Sequence, residues 1–90
     1  MFAVVCYDIP DDRRRTKIGK ILEGYGSRVQ WSVFECDLTE KQMQKLKEKL
    51  AKVTGKEDTL RYYYLCALCL QKIEVINGPP VTASQAYFVV

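Results

Sequence analysis

The sequence contains no histidine. Imidazole acid–base catalysis, zinc sites built on histidine and hydrolytic triads that depend on it are therefore excluded. There is also no apolar stretch near the ~20 residues that a bilayer-spanning helix needs, so we expect no membrane partner. Any chemistry must come from carboxylates, thiols, hydroxyls or cations, and 11 acidic and 14 basic residues supply most of these groups.

Four cysteines are present. Cys6 and Cys36 lie in strand-like apolar segments, whereas Cys66 and Cys69 form a single C-x-x-C pair. The first residues lack the basic, then apolar, then small-residue pattern of a secretory signal, so we expect a cytoplasmic protein with free thiols. Core packing is the favoured role for these thiols. The alternative is half of a zinc site, completed by Cys6, Cys36 or a second subunit.

The chain of 90 residues predicts one small domain. A chain of this size buries only about 60–65% of its unfolded surface, so its stability alone is marginal, and oligomerisation is a common remedy. The net charge of +3 permits contact with phosphate but does not demonstrate it, because the placement of the cations matters more than their sum.

Hydrophobic periodicity and capping signals predict alternating strands and helices. The first strand is predicted over 2–8. A helix follows, which Asp11 or Asp12 caps and which ends at Gly24 and Gly26, and then an extended stretch over 28–38 that a turn or bulge divides. A second helix runs from a Thr39–Gln42 capping box to Gly55, and a strand is predicted over 60–65. Further strands are predicted over 72–76 and, after the break at 77–80, over 85–90.

This order is the ferredoxin-like β-α-β-β-α-β plan of an α+β protein, in which helices cover one face of an antiparallel sheet. We expect a ferredoxin-like domain over residues 1–78, extra C-terminal strands and a tail strand over 79–90. The other sheet face needs a cover, and a free terminal strand would leave unpaired edges. We therefore predict a face-to-face homodimer with exchanged terminal strands, pairing with the chain's own sheet being the alternative.

Asp8 is the leading candidate for chemistry. It follows the apolar run 2–7 and precedes an arginine-rich turn, so a buried strand delivers a carboxylate beside cations. A cap or a surface turn is the structural alternative. In a symmetric dimer two Asp8 carboxylates would repel each other, and a divalent cation would remove that cost. Mg²⁺ prefers oxygen ligands and keeps several waters, so two carboxylates and water are enough to hold it.

Arg13, Arg14 and Arg15 follow in the first turn of the predicted helix, where cations oppose the helix dipole. In the structural interpretation Asp11 and Asp12 offset their charge. In the functional interpretation at least one arginine binds phosphate, for which a planar guanidinium is well suited.

Three segments together resemble the Cas2 family of CRISPR-associated proteins: YDIPDD at 7–12 with the arginines after it, RVQWSVFE at 28–35, and CALC at 66–69 followed by IEVI at 73–76. The resemblance covers nearly the whole chain. It implies a homodimeric ferredoxin-like protein that joins the Cas1 integrase, binds duplex DNA and helps to insert it into a repeat array. It also implies a magnesium-dependent endonuclease for single-stranded RNA or double-stranded DNA, with Asp8 of each subunit as the metal ligand.

The same resemblance implies roles for further residues. Arg15, Lys17 and Arg28 fall on basic positions that the family uses, and nucleic-acid contacts are expected there and at Arg14 of the arginine turn. Supporting roles are expected at Tyr7, Ser32 and Phe34. We interpret Phe34 as core or dimer packing, Ser32 as a group that could bond near the metal, and Tyr7 as a packed ring whose hydroxyl reaches a partner. Three functions stay open: a DNA-binding scaffold, a metal-dependent endonuclease, and a toxin-like or regulatory ferredoxin-fold protein without a CRISPR role.

Overall fold

The computed structural model describes residues 1–83. Within this range the predicted β-α-β-β-α-β order is observed, and a short third helix follows it. The elements are β1 (Phe2–Asp8), α1 (Asp12–Glu23), β2 (Ser27–Gln30), β3 (Val33–Asp37), α2 (Glu40–Val53), β4 (Thr59–Leu65) and α3 (Ala67–Leu70).

Both long helices begin at the side chains that the sequence indicates. Asp11 caps α1, and its Oδ2 accepts a hydrogen bond of 2.8 Å from the Arg14 amide. Thr39 and Gln42 form the predicted capping box at α2, with reciprocal bonds of 3.2 and 3.0 Å. These bonds satisfy amides that have no partner inside the helix, which explains why each helix begins where it does.

The sheet has the order β2-β3-β1-β4, and all neighbouring strands are antiparallel. β1 is therefore central, and β2 and β4 form the edges within the described part of the chain. The pairing of β2 with β3 shifts register between Arg28 and Gln30, and a turn at 31–32 separates the two strands. This irregularity confirms the predicted division of the stretch over 28–38.

The core lies between one face of the sheet and the two long helices. Alternate residues of β1, Ala3, Val5 and Tyr7, point into it and are at most 6% exposed. The residues between them, Val4 and Cys6, are half-buried on the other face, which no long helix covers. This surface is called the helix-free face below.

The prediction of a strand over 72–76 was wrong. α3 forms directly after Cys66 and buries Leu70, and residues 72–76 belong to neither a strand nor a helix. An alternating pattern yields a strand only where a neighbouring strand accepts its backbone bonds. Here the chain instead crosses the sheet from β4 to β3. There the amide and hydroxyl of Thr82 both donate to Glu35 at 3.0 Å. The strand predicted over 85–90 lies outside the described residues, and the division at 78/79 stays a prediction.

Candidate nucleic-acid and metal site

Asp8 is the last residue of β1 and is exposed. The alternation of β1 turns Tyr7 into the core, so the Asp8 side chain belongs to the helix-free face together with Cys6. Asp8 pairs with Thr59 of β4. A strand end thus presents one carboxylate to solvent on the helix-free face.

A shallow cavity of about 170 Å³ adjoins Asp8. It is lined by Cys6, Tyr7, Asp8, Thr59 and Arg61. The register places Arg61 opposite Cys6 and Thr59 opposite Asp8, so Arg61 and Asp8 are diagonal neighbours on the helix-free face. A cation therefore accompanies the carboxylate on this surface.

Arg61 is a candidate site residue that no sequence motif indicated. Its alternation with Leu60 and Tyr62 indicates that it faces away from them, but its proximity to Asp8 depends on the pairing of β1 with β4. The Arg61 guanidinium donates a 3.0 Å bond to the Tyr63 hydroxyl. This bond is the main reason that the pKa of Arg61 lies above its ordinary value, so the group is a permanent cation.

Arg28 lies on the other side of the sheet. Its guanidinium stacks over the buried ring of Phe34 at 4.6 Å, donates to the Tyr7 hydroxyl at 3.3 Å and pairs with Glu23 at 3.3 Å. It also donates to the carbonyl of Trp31. Burial lowers the pKa of Arg28, but the bonds to Tyr7 and Glu23 outweigh this effect and leave the pKa above its ordinary value.

A second cavity, of about 270 Å³, adjoins Arg28. Arg15 also lines it, and its guanidinium donates to the Ile9 carbonyl at 2.8 Å and pairs with Asp12. We call this the arginine cavity; its lining is Tyr7, Arg15, Thr16, Lys20, Glu23, Arg28 and Trp31. The predicted site is therefore divided, with Asp8 on the helix-free face and Arg15 and Arg28 in a separate cavity beside α1.

Arg14 makes an ion pair within the fold. Its Nε and Nη2 lie 2.8 and 3.2 Å from the carboxylate of Asp58, whose side chain is fully buried. Asp58 also accepts a 2.7 Å bond from the Gly55 amide. The Arg14 bond first, and the amide bond next, hold the pKa of Asp58 below its ordinary value. Arg14 thus ties α1 to the loop before β4, and its predicted phosphate contact stays a prediction.

The remaining predicted residues occupy diverse positions. Lys17 is exposed on α1. Phe34 is fully buried, as the packing interpretation predicts. Tyr7 is packed and its hydroxyl donates to the Trp31 carbonyl at 3.4 Å, while its amide donates to the carbonyl of Ser32 at 3.1 Å. Ser32 therefore lies at the same end of the sheet as Asp8.

A metal ion would need several donor side chains close together. Among residues 1–83, no three His, Cys, Asp or Glu side chains are grouped so that they could hold one. The oxygens of Asp8 suit Mg²⁺ by their chemistry, and the other ligands of such an ion would be waters, phosphate oxygens or a further carboxylate. Cys36 cannot complete a zinc site with Cys66 and Cys69, because it is fully buried in the core beneath the helices.

No helix in the described range is both long and apolar enough to cross a membrane.

Comparisons with known proteins agree with the arrangement of these elements. A family model described as "CRISPR associated protein Cas2" matches residues 1–73. The "CRISPR-associated endoribonuclease Cas2 1" of Chloroflexus aurantiacus is 48% identical over 93 aligned positions, which cover 100% of both chains.

Solved structures are similar as well. Streptococcus pyogenes Cas2 at pH 6.5 superposes with a TM-score of 0.75 and 29% identity, covering 86% of this chain and all of that one. A chain of a partial Cas6-RT-Cas1–Cas2 complex superposes with a TM-score of 0.76 and 31% identity, covering 90% of this chain and 96% of that one.

Proposed function

Because the chain belongs to the Cas2 family of CRISPR-associated proteins, we propose that it is a subunit of the spacer-acquisition complex and a metal-dependent endonuclease. Its relatives are named endoribonucleases, and a chain of similar structure comes from a complex that contains Cas1. These two observations favour a CRISPR role over the toxin-like alternative. The substrate class is a phosphodiester of RNA or DNA, and the location is the cytoplasm.

The endonuclease proposal rests on the exposed Asp8 carboxylate at the end of β1. Arg61 supports it, since this cation lines the same cavity. The guanidinium on this surface attracts the oxygens of a phosphodiester. The carboxylate beside it repels these oxygens as long as its own charge is uncompensated. A divalent cation at Asp8 removes that repulsion.

Two copies complete this site. If the helix-free faces of two chains meet, each chain would present its Asp8 carboxylate on that surface, and the two Asp8 residues would hold one Mg²⁺. When bound, the ion polarises the phosphodiester and lowers the pKa of water. Asp8 holds the ion, and Arg61 binds a phosphate oxygen and neutralises charge that develops there.

Within residues 1–83 no further strand of the chain pairs with its β4 edge, which is therefore open to the tail of a second copy. After α3 the chain crosses the helix-free face, and at Thr82 it bonds to Glu35 of β3, whereas β4 forms the outer strand on the opposite side of β1. The chain is therefore directed away from its own β4 edge. We propose that the tail predicted over residues 79–90 pairs with the sheet of a second copy, which covers an edge strand and closes the dimer.

The arginine cavity serves a different part of the nucleic acid. It lies across the sheet from Asp8, so Arg15 and Arg28 act on phosphates away from the cleaved bond. They and Lys17 grip the duplex backbone without reading its bases, as guanidinium and ammonium groups do. A dimer that presents two such surfaces holds a short duplex for the Cas1 integrase.

The endonuclease proposal is tested with purified Asp8→Asn and a matched Glu48→Gln variant, a neutralised carboxylate on the exposed face of α2. Cleavage of labelled RNA and duplex DNA is measured with Mg²⁺ and with a chelator. We expect wild type and Glu48→Gln to cleave only with Mg²⁺, and Asp8→Asn to fall to the chelated background. Equal cleavage by Asp8→Asn would refute the role of Asp8.

The scaffold proposal is tested separately by capture of the cognate Cas1 with duplex DNA. Wild type and Asp8→Asn should both retain Cas1 and the duplex, because scaffolding needs no catalysis. A truncation before Gln85 should lose the dimer in light scattering and with it the ternary complex. Retention of both by the truncated chain would overturn the proposed role of the tail, whatever the outcome of the cleavage assay.

A further inference from the structure

Cys66 and Cys69 form an exposed thiol pair at the start of α3. Their Sγ atoms are 3.4 Å apart, and both residues are exposed. A disulfide requires an S–S separation of about 2.05 Å, so the two sulfurs must approach by roughly 1.4 Å. Side-chain rotation can supply such a movement, because both thiols stand in solvent.

The other two thiols are placed differently. Cys36 is fully buried among the helices and the sheet, and burial raises the pKa of its thiol to about 11. Cys6 is half-buried on β1. The pKa of Cys66, in contrast, is lowered, first by a bond from the Cys69 backbone amide and next by the Cys69 thiol. A lowered pKa increases the thiolate fraction, which is the nucleophile in exchange reactions.

A metal site is the competing interpretation of a C-x-x-C pair. A structural zinc site needs four ligands, and the pair supplies two. Within residues 1–83 no third candidate ligand joins it, so a metal would depend on another chain. A disulfide needs only the two sulfurs that already touch.

We propose that Cys66 and Cys69 are a redox-active dithiol that closes to an intrachain disulfide by exchange with low-molecular-weight or protein disulfides. The Cys66 thiolate attacks one sulfur of the disulfide R–S–S–R, forming a mixed disulfide and releasing RS⁻. The Cys69 thiolate then attacks the Cys66 sulfur and releases the second RS⁻. Two electrons pass from the protein to the reagent, and the two protons of the dithiol end on the released thiols.

The position of the pair gives the reaction a structural consequence. The closed ring encloses the first turn of α3, whose Leu70 is buried. α3 is also the point from which the chain leaves β4 to cross the helix-free face. Oxidation therefore stiffens the link between β4 and the crossing segment over 72–83.

The test equilibrates the full-length chain in a series of reduced and oxidised glutathione, quenches with acid, alkylates free thiols and digests with trypsin. Peptide 62–72 contains both Cys66 and Cys69, while Cys6 and Cys36 fall in the separate peptides 1–13 and 29–41. We expect peptide 62–72 alone to lose the mass of two hydrogens and both alkyl groups in oxidising mixtures, and to regain the groups on reduction.

Three variants sharpen the experiment. Cys6→Ser should behave like wild type, whereas Cys66→Ser and Cys69→Ser should each stop at a single glutathione adduct. The proposal is overturned if peptide 62–72 stays doubly alkylated across the whole series, or if the disulfide joins two chains on a non-reducing gel. It is also overturned if the purified protein carries one zinc per two chains that shields both thiols until it is chelated.

Discussion

Gly19 of α1 leaves room for the guanidinium of Arg28. A Cβ atom at position 19 would stand 2.8 Å from Arg28 Nη2 and 3.4 Å from the Tyr7 hydroxyl. Glycine inside a helix costs roughly 0.5–1 kcal/mol relative to alanine, so this position sacrifices helix stability. In return the guanidinium reaches its position over Phe34 and beside Tyr7.

Gly19→Ala should therefore separate stability from binding. The atom that the new methyl group meets is the end of a flexible side chain, which can move away. We expect the free energy of unfolding to change by less than about 1 kcal/mol, while duplex binding weakens as much as in Arg28→Ala. Urea unfolding and fluorescence anisotropy measure the two effects. Gly24→Ala, where the new Cβ meets only the Ile21 carbonyl at 3.4 Å, should leave duplex binding unchanged.

Gly26→Ala should be far more damaging. Its Cβ would lie 2.4 Å from the Glu35 carbonyl and 2.6 Å from Cys36 Sγ, and the first of these atoms belongs to the backbone of β3. The strand must shift to admit the methyl group, and overpacking of this kind costs about 1–3 kcal/mol. Urea unfolding of the variant should show this loss. A midpoint equal to that of wild type would contradict this close approach of Gly26 to β3.

Arg61→Ala tests the cation beside Asp8. If Arg61 contacts one phosphate, its removal should reduce the slope of log K against log salt concentration by about 0.9 for duplex DNA. Cleavage should fall in the same variant, because the phosphate loses its neutralising partner. Lys45→Ala, an exposed cation on α2, is the matched control and should change neither quantity. An unchanged slope for Arg61→Ala would place the bound phosphates elsewhere.

The ion pair of Arg14 with Asp58 predicts an acid-dependent stability. The pKa of Asp58 is lower in the folded chain than its ordinary value near 4. Its contribution is therefore complete above the unfolded pKa and disappears as the pH falls from about 4 through the folded pKa. Thermal unfolding followed from pH 7 downward should show this loss.

Asp58→Asn supplies the comparison for that experiment. The variant should be less stable than wild type at pH 7, and the difference between the two should shrink as the pH falls. Asp12→Asn, at an exposed carboxylate paired with Arg15, should reproduce the wild-type profile. A constant difference between Asp58→Asn and wild type down to pH 2 would contradict the assignment.

Local signals in the sequence determined most of the fold. Asp11, the Thr39–Gln42 pair and the apolar run that ends at Asp8 each act through neighbours in the chain, so the helix starts and the first strand could be predicted. The strand predicted over 72–76 failed because its pattern needs a partner strand. The chain after Cys66 forms α3 and crosses the sheet instead.

The composition of the site was decided by tertiary structure. The sequence identified Asp8, Arg15 and Arg28 but grouped them, whereas the alternation of β1 and the position of β2 separate Arg28 from Asp8 by the thickness of the sheet. Arg61 joins Asp8 only because β4 pairs with β1 in one register. Backbone periodicity determines which face a side chain takes. Which side chains meet across strands depends on pairings between residues far apart in the sequence, and no local pattern encodes those pairings.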